Sequence, residues 1–420
     1  MTDTTAEAAL PRPALGEALR LYMKIGLLSF GGPAGQIALM QSEIVERRGW
    51  VRPEAFDRGL SFSMMLPGPE AQQLATWLGW RIHGLAGGLA AGLSFILPGA
   101  VFMVFLAWIA AAKGEVGIVA AVFAGVQPVV IAVVLQAMQK IAARALGTPP
   151  SYALAVAAFA GLYIAGLPFP LIVAAAAVAG YLLFPAGEAG GAGEAAPSGW
   201  SPARAARVVG VTAALVAGVF LAVAAAFGGE PFADVAILFT TAAFVSFGGA
   251  YALLPYVADQ AVETYGWLTA AEMLNGLAIA EATPGPLILV NTYAGFFAGW
   301  DGGDAAMAAL TAALATFYTF APSFMLILAF APAVERVHSV PWARRALAGV
   351  SAAVVGVIAN LALYLAEAAF FPAGLVEPDW AKLALFAAAL GLVFGARLPV
   401  LWLVALGAGS GVALHLAGLF

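Results

Sequence analysis

Residues 29–69 read SFGGPAGQIALMQSEIVERRGWVRPEAFDRGLSFSMMLPGP, and residues 246–286 read SFGGAYALLPYVADQAVETYGWLTAAEMLNGLAIAEATPGP. The two stretches align without a gap at a constant offset of 217, with 13 of 41 positions identical. Ser29-Phe30-Gly31-Gly32 meets Ser246-Phe247-Gly248-Gly249, and Glu46 meets Glu263. Gly49-Trp50 meets Gly266-Trp267, and Pro67-Gly68-Pro69 meets Pro284-Gly285-Pro286. Downstream the offset becomes 224, pairing Pro98 with Pro322 and Gly125-Val126 with Gly349-Val350. The chain is a duplicated unit. It divides into a tail (1–15), a first repeat (16–184), a linker with one further helix (185–231) and a second repeat (232–420).

Composition sets the solvent in which this duplication folds. The 420 residues are 63% hydrophobic and 10% charged, against about 25% charged in soluble domains. Mean hydropathy is +0.95. A soluble fold of this length cannot hide so much apolar surface, and a disordered chain needs charge that is missing here. The predicted class is an all-α polytopic membrane protein. A net charge of −5 leaves no basic field for nucleic acid. Cysteine is absent, which excludes disulfides, thiolate metal sites and cysteine nucleophiles. His83, His338 and His415 show no metal-binding spacing, so neither a metal nor a cofactor is expected. No Walker A sequence exists for ATP hydrolysis. The first fifteen residues lack the apolar core of a secretory signal, and the N-terminus is expected to be cytoplasmic.

A spanning helix needs about 20 residues with few charges. Stretches free of Asp, Glu, Lys and Arg run 82–112, 116–139, 145–187, 208–229, 235–258, 305–334, 346–366 and 398–420. The stretch 145–187 holds two helices with Gly166-Leu-Pro168-Phe-Pro170 as the turn. Residues 383–396 extend toward Trp380 as a further span, and 186–203 reads as a flexible linker. Residues 16–84 and 234–300 behave differently, because each is interrupted at its Phe-Gly-Gly and Pro-Gly-Pro sites. The arms between breaks are only about 20–24 Å long at 1.5 Å per residue, short of a crossing of about 30 Å. They read as re-entrant hairpins or discontinuous helices, with broken but fully crossing helices the alternative.

Charge indicates that the copies are inverted. Arg47, Arg48, Arg52 and Arg58 fill a loop whose counterpart, Thr264–Asn275, has no Lys or Arg. Further on the bias reverses: Lys113 stands alone where the second copy has Arg336, Arg344 and Arg345. Lys140 and Arg144 face a counterpart carrying only Glu367, Glu377 and Asp379. The positive-inside rule then places equivalent loops on opposite sides, with the span at 205–228 producing the inversion. Hairpins 16–48 and 53–84 are expected to open to the cytoplasm, followed by spans at 85–112, 116–140, 151–167 and 170–185.

Inverted repeats with broken helices place binding sites near the bilayer midplane at the repeat interface, and non-helical backbone at that depth lines a cavity or is buried in protein. Glycine permits tight turns and close approach, and a following helix offers unpaired N–H groups to an anion. Two such pairs from opposite leaflets would build one oxyanion pocket without a buried lysine; a plain helix kink is the structural alternative at each break. Glu70 follows Pro67-Gly68-Pro69, and Gln72 and Gln73 follow it; Glu281 precedes Thr283-Pro284-Gly285-Pro286. A carboxylate at membrane depth is costly and marks function, such as proton transfer, though Glu70 also suits a helix N-terminus. Glu70 aligns with Leu287 and Glu281 with Met64, so the expected site is asymmetric. Arg47 and Arg48 either draw anions to a cytoplasmic mouth or only set topology. Gln127, Gln136 and Asn360 are expected to bridge helices, and Trp50, Trp267, Trp300 and Trp342 to anchor at the membrane interface.

These motifs resemble those of the chromate ion transporter family in its long, two-domain form. The resemblance rests on Ser29-Phe-Gly-Gly-Pro-Ala-Gly-Gln-Ile37, Glu46-Arg-Arg-Gly-Trp50, Leu66-Pro-Gly-Pro-Glu-Ala-Gln-Gln-Leu74, Phe247-Gly-Gly-Ala-Tyr-Ala-Leu-Leu-Pro-Tyr256, Tyr265-Gly-Trp267 and Ala282-Thr-Pro-Gly-Pro286. It implies a secondary transporter that exports chromate across the bacterial-type inner membrane using the proton motive force and confers chromate resistance. Some relatives carry Ala-His where this chain has Gly35-Gln36, so no histidine role transfers here. From the breaks and the acids themselves, the expected oxyanion site comprises Ser29, Gly31, Gly32, Gly68, Gln72, Gln73, Ser246, Gly248, Gly249, Thr283 and Gly285, with Glu70 or Glu281 carrying coupling protons. The expected partners are chromate or a similar tetrahedral oxyanion and the lipid bilayer, with a homodimer also admitted. A broader sulfate or molybdate carrier is the alternative. An enzyme, such as a membrane chromate reductase, is disfavoured by the missing Cys and nucleotide motifs.

Overall fold

The computed structural model describes residues 11, 13–29, 32–114, 116–185, 201–247, 249–333, 341–372, 374 and 377–418. These residues form an all-α polytopic membrane protein with no strand among them. The first repeat supplies α1 (Leu15–Leu28), α2 (Gly32–Met40), α3 (Pro53–Ser63) and α4 (Glu70–Lys113), then α5 (Gly117–Ala145), α6 (Pro149–Tyr163) and α7 (Phe169–Leu183). The inserted helix is α8 (Pro202–Phe227). The second repeat supplies α9 (Phe232–Val245), α10 (Ala250–Ala258), α11 (Ala270–Ala282), α12 (Val290–Ala298) and α13 (Ala305–Phe330). It ends with α14 (Pro341–Phe370), α15 (Trp380–Leu390) and α16 (Val400–Leu416). Helices α2 and α10 each run on into one π-helical stretch, Gln41–Glu46 and Asp259–Thr264, at nearly the same register of the two repeats.

The expected breaks are breaks in the structure. Helices α1 and α9 stop before Ser29 and Ser246, and α3 and α11 stop before the Pro-Gly-Pro turns. Helix α4 is itself two helices, because His83 and Gly84 leave helical geometry, Gly84 at φ +64°. Among the described residues, five helices are long and apolar enough to cross a membrane: Glu70–Lys113, Gly117–Ala145, Pro202–Phe227, Ala305–Phe330 and Trp342–Phe370. The spans expected at 151–167 and 170–185 are instead the 15-residue helices α6 and α7, about 22 Å each. The Gly166–Pro168 turn takes residues from the charge-free stretch, and neither helix alone matches the hydrocarbon core. The linker at 186–200, with Arg336 and His338, lies outside the described residues.

The two repeats interlock by exchange. Helix α5 packs against α15 and α16 of the other repeat, while α14, its counterpart, packs against α6 and α7. Paired glycines make this contact close. A Cβ on Gly125 would lie 2.2 Å from the Gly407 carbonyl oxygen, and a Cβ on Gly349 would lie 2.2 Å from that of Ala176. Close backbone approach at small residues is how membrane helices gain packing energy without a hydrophobic drive. Helices α1 with α4 and α9 with α13 repeat one further equivalent contact. Large side chains facing outward, such as Ile164 and Leu416 at 77% and 78% exposure, suit lipid and not water. Helix α8 is the extreme case, with Ala205 its one buried residue.

Candidate functional site

The breaks of one repeat close on the breaks of the other. The Gly68 amide donates to the Ser246 carbonyl at 2.7 Å, and the Gly285 amide donates to the Ser29 carbonyl at 3.0 Å. Each Pro-Gly-Pro turn therefore feeds a donor to the end of the opposite repeat's first helix. That helix end carries carbonyls without intrahelical partners, which at membrane depth must be satisfied by protein. The turns need glycine: φ is +121° at Gly68 and +100° at Gly285, a region that side chains disfavour. Hydroxyls close the helix ends as well. Ser29 Oγ donates to the Ile25 carbonyl, and Thr283 Oγ1 donates to the Ile279 carbonyl at 2.6 Å. The Gly68 and Gly285 amides, expected to face an oxyanion, are thus used to hold the two repeats together.

The residue after each helix proline backs the crossover. A Cβ built on Gly99, next to Pro98, would fall 2.1 Å from the Pro284 carbonyl oxygen. Its counterpart Ser323, next to Pro322, lies against Gly68, with Oγ 3.1 Å from the position of a Gly68 Cβ. Here the symmetry of backbone ends and the asymmetry of chemistry begins. Around the first Pro-Gly-Pro stand Glu70, Gln72, Gln73 and Ser323; the equivalent positions around the second are Leu287, Leu289, Val290 and Gly99. Ser323 Oγ donates to Gln72 Oε1 at 2.6 Å, Gln72 Nε2 to Thr76 Oγ1 at 2.9 Å, and Gln73 Nε2 to the Pro67 carbonyl at 2.7 Å. Gln72, Gln73 and Ser246 are fully or almost fully buried. Yet Ser246 Oγ and Gln73 Oε1 have no hydrogen-bond partner, an arrangement that is costly unless something else occupies it.

Both acids gather at the start of α10. A Cβ on Gly249 would lie 4.0 Å from Glu70 Oε1. Two residues on, the Tyr251 hydroxyl donates to the buried Glu281 carboxylate. Gly32 and Gly249, the last glycines of the two Phe-Gly-Gly sites, have φ of +74° and +95° and reverse the chain into α2 and α10. Gly31 and Gly248 lie outside the described residues.

Three residues here carry no signal in the repeat alignment. Gln36 donates to the Gly285 carbonyl at 2.6 Å and approaches the Ser29 carbonyl at 3.4 Å; its counterpart is Leu253. Ser323 and Tyr251 likewise face Gly99 and Ala34 across the alignment. Only Ser323 had a pointer, its place beside the paired Pro322. Arg47 and Arg48 are away from the crossover: with Lys24 they surround the buried Glu43, Lys24 at 2.9 Å and Arg47 at 3.0 Å. Of the expected bridges, Gln127 donates to Asn275 at 2.9 Å and Gln136 approaches the Val393 carbonyl at 3.4 Å. Trp342 is exposed, whereas Trp50 is buried.

Fold and site together define a polytopic membrane protein of two repeats joined at broken helices, with an asymmetric polar cluster at the join. The chromate transporter family matches residues 16–181 and again 233–412, and the chain belongs to that family. It is 33% identical to a chromate transport protein of Pseudomonas aeruginosa, over 87% of this chain and 84% of the relative. A probable chromate transport protein of Synechococcus elongatus is 28% identical over 84% of this chain and 85% of its own length. A chromate transport protein of Cupriavidus metallidurans is 25% identical over 93% of this chain and 92% of its own. No solved structure matches the chain.

Proposed function

We propose that the protein is a secondary active transporter that exports chromate across the bacterial inner membrane and thereby confers chromate resistance. The observation that carries this reading is the crossover: two broken-helix pairs, exchanged between repeats, enclosing buried polar atoms of Ser246 and Gln73 that lack protein partners. Membership of the chromate transporter family and the names of its relatives supply the substrate.

In this reading the Gly68 and Gly285 turns shape the pocket and allow close approach, while the oxyanion meets Ser246, Gln72, Gln73 and the first-turn amides of α4 and α10. Ser29, Thr283, Gly32 and Gly249 form the surrounding breaks. Glu70 stands at the N-terminus of α4, where a helix favours a negative group. An oxyanion arriving there competes with this carboxylate, so proton uptake by Glu70 or Glu281 couples to substrate movement. The membrane potential itself drives a dianion outward at about 2.3 kcal/mol per charge per 100 mV. The N-terminus lies in the cytoplasm, with repeats 16–184 and 232–420 inverted about α8 and Arg47 and Arg48 at the cytoplasmic mouth.

The test is flux of radiolabelled chromate into proteoliposomes containing only this protein, under an imposed pH gradient and with excess sulfate. Flux that follows the gradient and survives sulfate supports the proposal. Flux abolished by sulfate makes the protein a broader oxyanion carrier, and no flux under any gradient removes the transport reading.

A further inference from the structure

Two glutamines at the crossover each carry one polar atom that the fold does not use. Gln73 Nε2 donates to the Pro67 carbonyl at 2.7 Å, and Gln36 Nε2 donates to the Gly285 carbonyl at 2.6 Å. A carbonyl only accepts, so these bonds fix which end of each side-chain amide is the nitrogen. The other end, Oε1, has no hydrogen-bond partner in either residue, although Gln73 is 0% and Gln36 1% exposed. Gln72, next to Gln73, shows that the fold can use both ends of an amide: its Oε1 accepts from Ser323 and its Nε2 donates to Thr76. Ser246 Oγ is likewise buried without a partner, while the carbonyl of the same residue receives the Gly68 amide.

A brace for a turn carbonyl needs only the donor half of each amide; the acceptor half is left to explain. Gln73 aligns with Val290 and Gln36 with Leu253, so no packing rule shared by the repeats asks for an amide at either place. Each nevertheless serves one Pro-Gly-Pro turn and keeps a buried acceptor beside it. Donors come from the backbone. Helices α4 and α10 begin without a side-chain cap, which leaves first-turn N–H groups for anionic oxygens. An amide oxygen next to those groups repels a bare oxyanion oxygen and matches an O–H. Charge points the same way. Glu70 and Glu281 stand at the crossover, whereas Lys24, Arg47, Arg48 and Lys382 pair with Glu43 and Asp379 instead. An ion of one negative charge suits two neighbouring acids better than an ion of two.

We propose that the crossover binds its oxyanion in the singly protonated form, with Gln73 Oε1 accepting from the oxyanion's O–H and Gln36 Oε1 as the equivalent acceptor at the second turn. The first-turn amides of α4 and α10 face the unprotonated oxygens, and the proton stays on the substrate. This rests on the transport reading above and narrows its substrate from a tetrahedral oxyanion to the hydrogen oxyanion. It also supplies a basis for selectivity. Chromate takes up its first proton just below neutral pH, whereas sulfate and selenate stay unprotonated until strongly acid solution. A site built to bond a substrate hydroxyl rejects an analogue without one, because its own buried group is then left unpaired.

The test is equilibrium binding of radiolabelled chromate, and separately of radiolabelled selenate, to the full chain in lipid nanodiscs across a pH series on both sides of neutral. Selenate is a tetrahedral dianion of similar size, so it reports any titration of the protein itself. Chromate affinity should fall about tenfold for each pH unit above the point where the free ion loses its proton, the linkage of one proton to binding. Selenate should bind at least about a hundredfold more weakly than chromate on the acid side, without that slope. Gln73→Met should weaken chromate binding on the acid side at least about tenfold and leave selenate within about threefold of the wild type. A merely structural Gln73 would weaken both anions alike, and that result overturns the assignment, as does unchanged chromate binding in Gln73→Met. Gln36→Met is the second variant, and the comparison of the two anions on the wild type stands even if neither variant folds. Chromate and selenate following one pH course, or binding equally, overturn the protonated form and leave an oxyanion transporter in place. A wild type that binds neither ion at any pH ends both readings.

Discussion

The amide of Gly68 in the first repeat donates to the carbonyl of Ser246 in the second. The reciprocal bond, Gly285 to Ser29, makes this a symmetric clasp between the two repeats of the chain. Each bond joins a turn, which has a spare donor, to a helix end, which has a spare acceptor. In this chain each repeat supplies the partner for the other's break, so the backbone groups at the two breaks are satisfied together.

The clasp depends on backbone that only glycine accommodates readily. Gly68→Ala places a methyl at φ +121° and 2.8 Å from Gln73 Nε2. The strain, about 1–3 kcal/mol, adds to displacement of Gln73. Gly285→Ala meets chiefly the flexible end of Leu289 at 3.0 Å, so its cost should be the backbone part alone. Thermal unfolding in nanodiscs should rank Gly68→Ala below Gly285→Ala, and both below the wild type. Equal midpoints in all three would remove the claim that these turns are under conformational constraint.

Gln36 is a one-sided brace. It bonds the Gly285 carbonyl at 2.6 Å, while Leu253 occupies the matching position of the second repeat. Gln36→Leu copies that residue and leaves a buried carbonyl without its side-chain donor, at a cost of about 1–3 kcal/mol. The expected result is a lower unfolding midpoint for Gln36→Leu, with Leu253→Met close to neutral as the volume-conserving control. An unchanged midpoint in Gln36→Leu would show that water or the backbone replaces the brace.

The glycine interlock should be far less tolerant than the glycines of α8. A methyl on Gly349 would sit 2.2 Å from the Ala176 carbonyl and 2.5 Å from the Gly180 Cα, so α14 and α7 must separate. Gly210→Ala meets nothing within 4 Å and gains helix propensity of up to about 1 kcal/mol. Expression and unfolding of Gly349→Ala should fall sharply while Gly210→Ala matches or exceeds the wild type. Similar behaviour of the two would argue against the exchange of helices between repeats as the basis of stability.

Much of the fold was legible because identical residues at a fixed offset mark equivalent positions. Ser29, Gly49 and Pro67 announced the duplication, and every break expected from them is a break in the structure. The alignment could not reveal contact, since equivalence says which residues play the same part and not which ones touch. That Gly68 meets Ser246, and not its neighbour Ser29, follows only from the exchanged packing. The same limit hid Gln36 and Tyr251, polar residues opposite Leu253 and Ala34, where a search for shared motifs finds nothing. Charge-free runs overstated α6 and α7 because hydropathy does not see that Gly166 and Pro168 consume span length in a turn. Glu43, the partner of Arg48, sits within a π-helical stretch that helical spacing does not foretell.

Glu281 offers the sharpest test of how transport is driven. It is buried, it accepts from the Tyr251 hydroxyl, and its counterpart is a methionine, so no repeat-wide packing rule requires an acid there. Removing its charge should not prevent insertion, because a neutral amide of similar shape is cheaper at this depth than a carboxylate. Glu281→Gln is therefore expected to reach the membrane in normal amount and to lose the response of chromate flux to an imposed pH gradient. Tyr251→Phe, which keeps the acid and removes its donor, should retain that response with a displaced pH profile. The comparison is of initial flux rates across a range of gradients for the three proteins, normalised to protein inserted. A Glu281→Gln protein whose flux still tracks the gradient would transfer the proton role to Glu70, and Glu70→Gln under the same gradients would then be the deciding variant.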